Sequence, residues 1–197
     1  KIGASHAGIS VGEDGATHQC IEDIALMSAI PGMVVLSPAD AAETRACVKA
    51  AILHDGPVYL RLGRLGVDNI YEKDTIPFEL GKGIVLKEGT DVTIVANLLM
   101  MYKAMEAAAE LEKEGISCEV IDPRTLVPFD YDLLFQSVRK TSRLVIVEED
   151  TKRNGWGADV AATVAEQELF SLDAPICRVA TYDVPLPFAP VLQDYVV

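Results

Sequence analysis

The sequence predicts an α/β protein laid out as two successive blocks. Short β-branched runs alternate with stretches of helical period. A turn-rich segment interrupts that series once. Half of the 197 residues are hydrophobic and 24% are charged, the balance of a packed core rather than a disordered chain.

The elements follow in order. Thr17 is expected to cap a helix running through Ile21, Ile24 and Ala25. MVVL at 33–36 has the continuous apolar character of a buried strand. In SPADAAE, Asp40 and Glu43 make a capping box ahead of a helix carrying Cys47, Val48, Ala51 and Ile52. A DGP turn at 55–57 leads to the strand VYLRL at 58–62. Helix–strand–helix–strand is the order of parallel winding. GVDNIYEKDTIPFELGKG, 65–82, loses the period and is a linker, placing the blocks at 1–72 and 83–197 with 73–82 between. The second block supplies strands at 91–96, 116–121, 143–149 and 175–180. Its helices fall at 99–114, near 130–140 and near 157–169. Two strands in the first block bury too little surface to stand alone. Part of that domain is therefore expected to be missing from the chain or supplied by a partner, and the opening Lys-Ile-Gly is not expected to be a native start.

Several functional classes are excluded. A formal charge of −13 repels polyanions, so nucleic acid is not an expected partner. An anionic metabolite needs a local clamp of Arg, His or backbone N–H groups. No apolar run approaches the roughly 18 residues that span a bilayer, and the first residues lack the plan of a secretory signal. Cys20, Cys47, Cys118 and Cys177 are widely spaced, without a C-x-x-C pair. They read as reduced, buried thiols of a cytoplasmic protein.

The chemistry concentrates in SHAGISVGEDGATHQ, residues 5–19. His6 and His18 lack zinc-site spacing. Gly8, Gly12 and Gly15 are not spaced as a dinucleotide fingerprint and no clear strand precedes them; no G-x-x-x-x-G-K-[ST] exists. An enzyme site at a helix entrance is the remaining functional reading. In the first turn of a helix capped by Thr17, His18 would stay neutral and could pass a proton to or from a substrate oxygen. Asp14 could accept a hydrogen bond from a substrate hydroxyl, and His6 could reach an anion. The plain alternatives are an Asx-turn closed by Asp14 and a solvated His18.

HAGISVGEDGATHQ, followed by IEDIALMSAIPGMVVLSPADAAET, resembles the transketolases and deoxyxylulose-phosphate synthase. The resemblance is to the carboxyl-terminal part of the enzyme, which in split transketolases is a separate chain. It implies a thiamine-pyrimidine-binding domain of parallel sheet, here incomplete, followed by a transketolase C-terminal α/β domain. It implies thiamine diphosphate with Mg2+ as cofactor, and sugar phosphates as substrates of two-carbon transfer. It implies an amino-terminal partner chain holding the diphosphate and metal, in a dimer or heterotetramer. By the same resemblance His18 lies beside the reacting carbons, Asp14 takes a sugar hydroxyl and His6 helps hold the phosphate. In PVYLRLGR, 57–64, Arg64 matches the phosphate-binding arginine and Arg61 is the alternative; a guanidinium fork suits a phosphate, and the plain reading is a surface ion pair. The family's activating glutamate and its metal-binding G-D-G…N signature cannot be placed in the chain, and E-D-G at 13–15 is not that signature. On this reading the isolated chain neither holds the cofactor nor turns over.

IDPRTLVPFD, TSRLVIVEE, NGWGADVAATVAEQ and LDAPICRVATYDVPLPFAP look more like the beta chain of 2-oxo-acid dehydrogenases. This leaves such a chain, or a non-catalytic dimerisation piece, as alternatives. Within these segments NGWG is expected to let a helix pack closely on a strand, though glycines before a helix can also bind anions. EED at 148–150 is expected to be a solvated strand end. Met101, Met105, Ala108 and Leu111 are expected to form a packing face.

Overall fold

Asp40 shows how closely local sequence dictates structure here. Its carboxylate accepts the Glu43 N–H at 2.8 Å, and Glu43 reaches back to the Ala39 N–H at 2.7 Å. This is the expected capping box, shifted by one residue on its return bond. It starts helix α2 (Ala41–Leu53), which follows α1 (Asp23–Ser28) and strands β1 (Ile2–Ala4) and β2 (Val34–Leu36), and precedes β3 (Val58–Arg61). The computed structural model describes residues 1–12, 14–72, 76–187 and 189–196.

The second half continues with β4 (Ile84–Lys87), β5 (Val92–Ala96), α3 (Met100–Lys113), β6 (Cys118–Asp122) and β7 (Thr125–Val127). It ends with α4 (Tyr131–Thr141), β8 (Leu144–Thr151), α5 (Trp156–Gln167), β9 (Cys177–Thr181) and α6 (Pro190–Val196). The two sheets run β1-β3-β2-β7 and β4-β6-β5-β8-β9. β1, β2 and β3 are mutually parallel, and so are β6, β5, β8 and β9. β4 and β7 are antiparallel additions. Strand β7 comes from the second half yet completes the first sheet, so one strand crosses the expected division of the chain. That strand and β1 were not foreseen: each has three residues, too few to show a period.

The remaining expectations divide. On α3, Met101 and Ala108 are fully buried, with Met105 and Leu111 packed beside them, as a packing face requires. The NGWG glycines do permit close packing. A Cβ on Gly157 would meet Glu148 and Ile146, and one on Gly155 would meet the Thr151 carbonyl. The Gly157 N–H at the α5 start also binds an anion, the chain's own Glu148 carboxylate, at 3.0 Å.

Four expectations need correcting. Residues 148–150 are not solvated: Glu148, Glu149 and Asp150 are all buried, held beside Arg178 and Arg61. Thr17 caps no α-helix. It ends a single 3-10 turn, Gly15–Thr17, and α1 begins only at Asp23. A short β-bridge from Gly8 to Cys20 occupies the backbone where the helix was expected. Of the cysteines, all free, only Cys47 and Cys118 are buried; Cys20 is half-buried and Cys177 is exposed on β9.

The expected linker has no helix or strand among its described residues, but it is pinned; Lys73, Asp74 and Thr75 of it lie outside the described residues. Asp40 accepts the N–H groups of Ile70 and Tyr71 at 2.9 and 3.0 Å. The Tyr71 hydroxyl donates to Asp122 at 2.7 Å, and Arg124 donates to the Pro77 carbonyl at 2.9 Å. Glu43 and Asp122 thus sit together, fully buried, with Arg124 beside them. Among the described residues no helix is long and apolar enough to cross a membrane.

Burial first, and then the Asp122 charge, push the Glu43 carboxyl well above its ordinary value of 4.5. The folded protein therefore binds a proton here that the unfolded chain releases. That contribution to stability is complete below pH 4.5 and is lost as pH rises through the raised value. Glu43→Gln keeps the acceptor for Ala39 and removes the titration. Its stability relative to the unsubstituted chain is expected to improve steadily from pH 4.5 upward and then level off, as read by urea melts across pH.

Candidate active site

Ligands of parallel α/β sheets bind beyond the carboxyl ends of the strands, and the loop at 5–19 lies there. It leaves β1 directly, so a strand does precede it. The Ala7 N–H bonds the Leu62 carbonyl just past β3 at 3.1 Å, and the Leu62 N–H bonds the Ala4 carbonyl at 2.8 Å. The Gly8 N–H closes the loop on the Cys20 carbonyl at 2.7 Å, and the Gln19 amide side chain, buried, holds the Ile9 carbonyl at 2.8 Å. The Thr151 N–H at the end of β8 reaches the Ile21 carbonyl at 3.0 Å. Both halves of the chain thus grip the loop.

Four expected site residues converge. The His6 and His18 ring centroids are 5.5 Å apart. The hydroxyl of Ser5 contacts His6 Nδ1, and that of Thr17 contacts His18 Nδ1, each at 2.9 Å. Neither Nε2 has a hydrogen-bond partner among the described residues, so these nitrogens are the ones presented to a ligand. His6 has a left-handed backbone, φ 66°, a conformation uncommon for a residue with a side chain. Arg64 Nε pairs with an Asp14 carboxylate oxygen at 2.6 Å. The Asp14 side chain makes no cap hydrogen bond, so the Asx-turn alternative is set aside. Glu13, in the middle of this loop, lies outside the described residues. A crevice of about 250 Å3 opens alongside, lined by Ser10, Leu62, Gly63, Leu65, Val67 and Leu98 among others.

The structure separates Arg61 from this group. Its side chain is 0% exposed and is not a surface ion pair. Its Nε donates to Asp23 at 3.0 Å and one terminal nitrogen donates to Asp150 at 2.6 Å. Burial disfavours its charge, but Asp150 and Asp23 outweigh burial and raise its pKa. The Tyr59 hydroxyl also donates to Asp23 at 2.8 Å; burial and then Asp23 push its pKa up. Burial raises the carboxyls of Asp150 and Glu149 as well, with Arg61 opposing at the first and Ser10 and Arg61 at the second. The Glu149 carboxylate packs directly under Gly8. Sequence reasoning passed over this cluster. Its signal was a carboxylate in each apolar run, IEDI and IVEED, against one arginine inside a third.

Family comparisons agree with this geometry. The family model described as "Transketolase, C-terminal domain" matches residues 81–197, and "Transketolase, pyrimidine binding domain" matches residues 1–68. This chain belongs to the transketolase family. A solved "Split gene transketolase, inactive beta4 tetramer" superimposes with a TM-score of 0.86 at 46% identity, covering 99% of this chain and 60% of that one. One of the two chains of the apulose-4-phosphate transketolase of Phocaeicola vulgatus is 38% identical over 84% of this chain and 53% of its own length. The beta chain of the mitochondrial pyruvate dehydrogenase E1 component of Drosophila melanogaster is 40% identical over 84% of this chain and 47% of its own length. The transketolase chain thus spans about half the length of the curated relatives it matches.

The family depends on thiamine diphosphate. Among the described residues, no group of three or more His, Cys, Asp or Glu could hold a metal ion. The cationic and hydrogen-bonding groups of the loop sit at its substrate-facing edge. The described residues therefore do not fit the diphosphate and metal end of the cofactor, and no chemical step is assigned through it here.

Two glycines of the loop separate strain from crowding. Both have positive φ, +84° at Gly8 and +79° at Gly12. A Cβ on Gly8 would fall 1.6 Å from Glu149 Oε1, whereas one on Gly12 meets nothing within 4 Å. Gly12→Ala is expected to cost about 1 kcal/mol, the left-handed penalty alone. Gly8→Ala is expected to cost about 2–4 kcal/mol, strain plus overpacking. Urea melts of the two variants measure the difference.

Proposed function

We propose that this chain is the substrate-facing, carboxyl-terminal part of a transketolase that moves two-carbon ketol units between sugar phosphates. An amino-terminal partner chain or domain would hold the diphosphate and Mg2+. The observation that carries the reading is the convergence of His6, Asp14, His18 and Arg64 at the strand ends. Two imidazoles suit proton transfer at substrate oxygens, a carboxylate suits a hydroxyl, and a guanidinium suits a phosphate.

The roles follow from position. The hydroxyl of Thr17 fixes the ring of His18 and leaves Nε2 to give or take a proton at the substrate oxygen nearest the reacting carbon. His6 and Arg64 would hold the phosphate end, and Asp14 a hydroxyl between. Carbon–carbon bond chemistry belongs to the cofactor; these residues bind and orient the substrate and move its protons. Arg61 is spent inside the fold, which leaves Arg64 as the phosphate ligand. The relatives include a chain of a sugar-phosphate transketolase and an inactive beta tetramer, and their names support both the substrate class and the need for a partner.

The pyruvate dehydrogenase beta chain found in the same comparison favours a second reading, decarboxylation of a 2-oxo acid. One experiment separates the two. The chain, assembled with its partner and thiamine diphosphate, is assayed for ketol transfer between sugar phosphates and for 2-oxo-acid-dependent reduction of an artificial acceptor. Transfer without reduction is the expected result, and the reverse overturns the proposal. In the same assembly His18→Ala is expected to lower kcat by about 10²–10⁴-fold, the range of a lost acid–base group. Unchanged turnover would remove this loop from the reaction.

A further inference from the structure

The Asp14–Arg64 contact pairs two residues that each have a task toward the substrate. The pair is short, 2.6 Å, yet half-open to solvent, at 40% exposure for Arg64 and 33% for Asp14. Asp14 has no structural duty in the turn it precedes. The 3-10 turn is held by its backbone carbonyl, which accepts the Thr17 hydroxyl at 3.1 Å, and not by its carboxylate. The other arginine of this strand is buried on two carboxylates, so Arg64 is the guanidinium that the strand end offers to solvent.

We propose that the Asp14–Arg64 ion pair is a specificity-determining latch: a dianionic group on the substrate displaces Asp14 from the guanidinium and frees that carboxylate to take the substrate's hydroxyl. The inference rests on the proposed roles of the two residues and adds a coupling between them. A phosphate bound across the Nε edge of Arg64 competes with Asp14 for the same hydrogens. A phosphate bound at the opposite edge places a second anion on one cation. In either geometry Asp14 weakens phosphate binding while it stays paired, and phosphate loosens Asp14 by the same factor, because coupling between two binding events is reciprocal. A substrate without the dianion leaves Asp14 on Arg64 and must break the pair itself before its hydroxyl is bound. The effect is modest. An exposed ion pair contributes about 0.2–1 kcal/mol, which corresponds to about 1.4- to 5-fold in affinity.

The test is a double-mutant cycle with inorganic phosphate as the probe, at fixed ionic strength, on the full chain. The backbone amide signals of Gly63 and Leu65 report binding by NMR. Asp14→Asn removes the competitor and is expected to bind phosphate about 1.4- to 5-fold more tightly than the unsubstituted chain. In the Arg64→Gln background the same Asp14→Asn change is expected to do nothing, since its effect acts through the guanidinium. Equal affinity in Asp14→Asn and the unsubstituted chain, a flat titration in both, or an undiminished effect in the Arg64→Gln background would each overturn the latch. In the assembled enzyme, the preference in kcat/KM for a phosphorylated over an unphosphorylated ketose is expected to fall in Asp14→Asn. An assembly that uses 2-oxo acids but still shows the phosphate cycle would sink the proposed reaction and keep the latch; ketol transfer without the cycle would do the opposite.

Discussion

The buried guanidinium of Arg61 is the interaction on which the rest depends. It reaches Asp23 in the first half of the chain and Asp150 in the second, both from a fully buried position. Ion pairs of this kind need not add net stability, but removing one partner strands a charge in the interior at about 3–5 kcal/mol. What the cluster supplies is register. Asp23 opens the helix that follows the histidine loop, Asp150 lies near the end of β8, and Thr151 is hydrogen-bonded to Ile21. With these fixed, Glu149 lies under Gly8, and His6 and His18 are set against the second half as well as the first.

Charge placement explains the site's chemistry as much as its geometry. The chain carries 30 acidic and 17 basic residues, yet it spends three arginines inside. Arg61, Arg124 and Arg178 are committed to Asp23 and Asp150, to Tyr71 and the Pro77 carbonyl, and to Glu148. They offset buried carboxylates, which burial pushes toward protonation. Against so acidic a background, an anionic substrate is drawn only where a cation and hydrogen-bond donors meet at the surface. Arg64 beside two imidazoles meets that requirement.

Much of this was legible in the sequence, and the exceptions share a cause. Long, periodic segments such as 41–53 and 100–113 announce themselves through repeated apolar spacing and a cap. The residues of the loop were legible as chemistry because histidine, aspartate and glycine have few reasons to crowd together. Three-residue strands such as β1 and β7 carry no period, and their partners lie far along the chain. The buried EED segment was misread because a carboxylate's burial is decided by the arginine opposite it, Arg61 or Arg178, and those pairings span 89 and 30 positions. The His18 helix was misplaced for a related reason. Thr17 is a competent cap, but the Gly8–Cys20 bridge claims the backbone first, and tertiary hydrogen bonds override a local preference.

That bridge also alters how the loop can work. A histidine in the first turn of a helix would owe its state to the helix dipole. His18 instead follows a single 3-10 turn, and its ring is oriented by the neighbouring Thr17 hydroxyl. Its orientation is therefore set within the loop, while the loop's position is set by β1, the end of β3 and the end of β8 together. The substrate-facing groups form one rigidly anchored unit whose geometry does not wait for the cofactor. A two-part enzyme built this way can assemble its diphosphate site and its substrate site on different pieces of protein, because each needs from the other only a shared boundary.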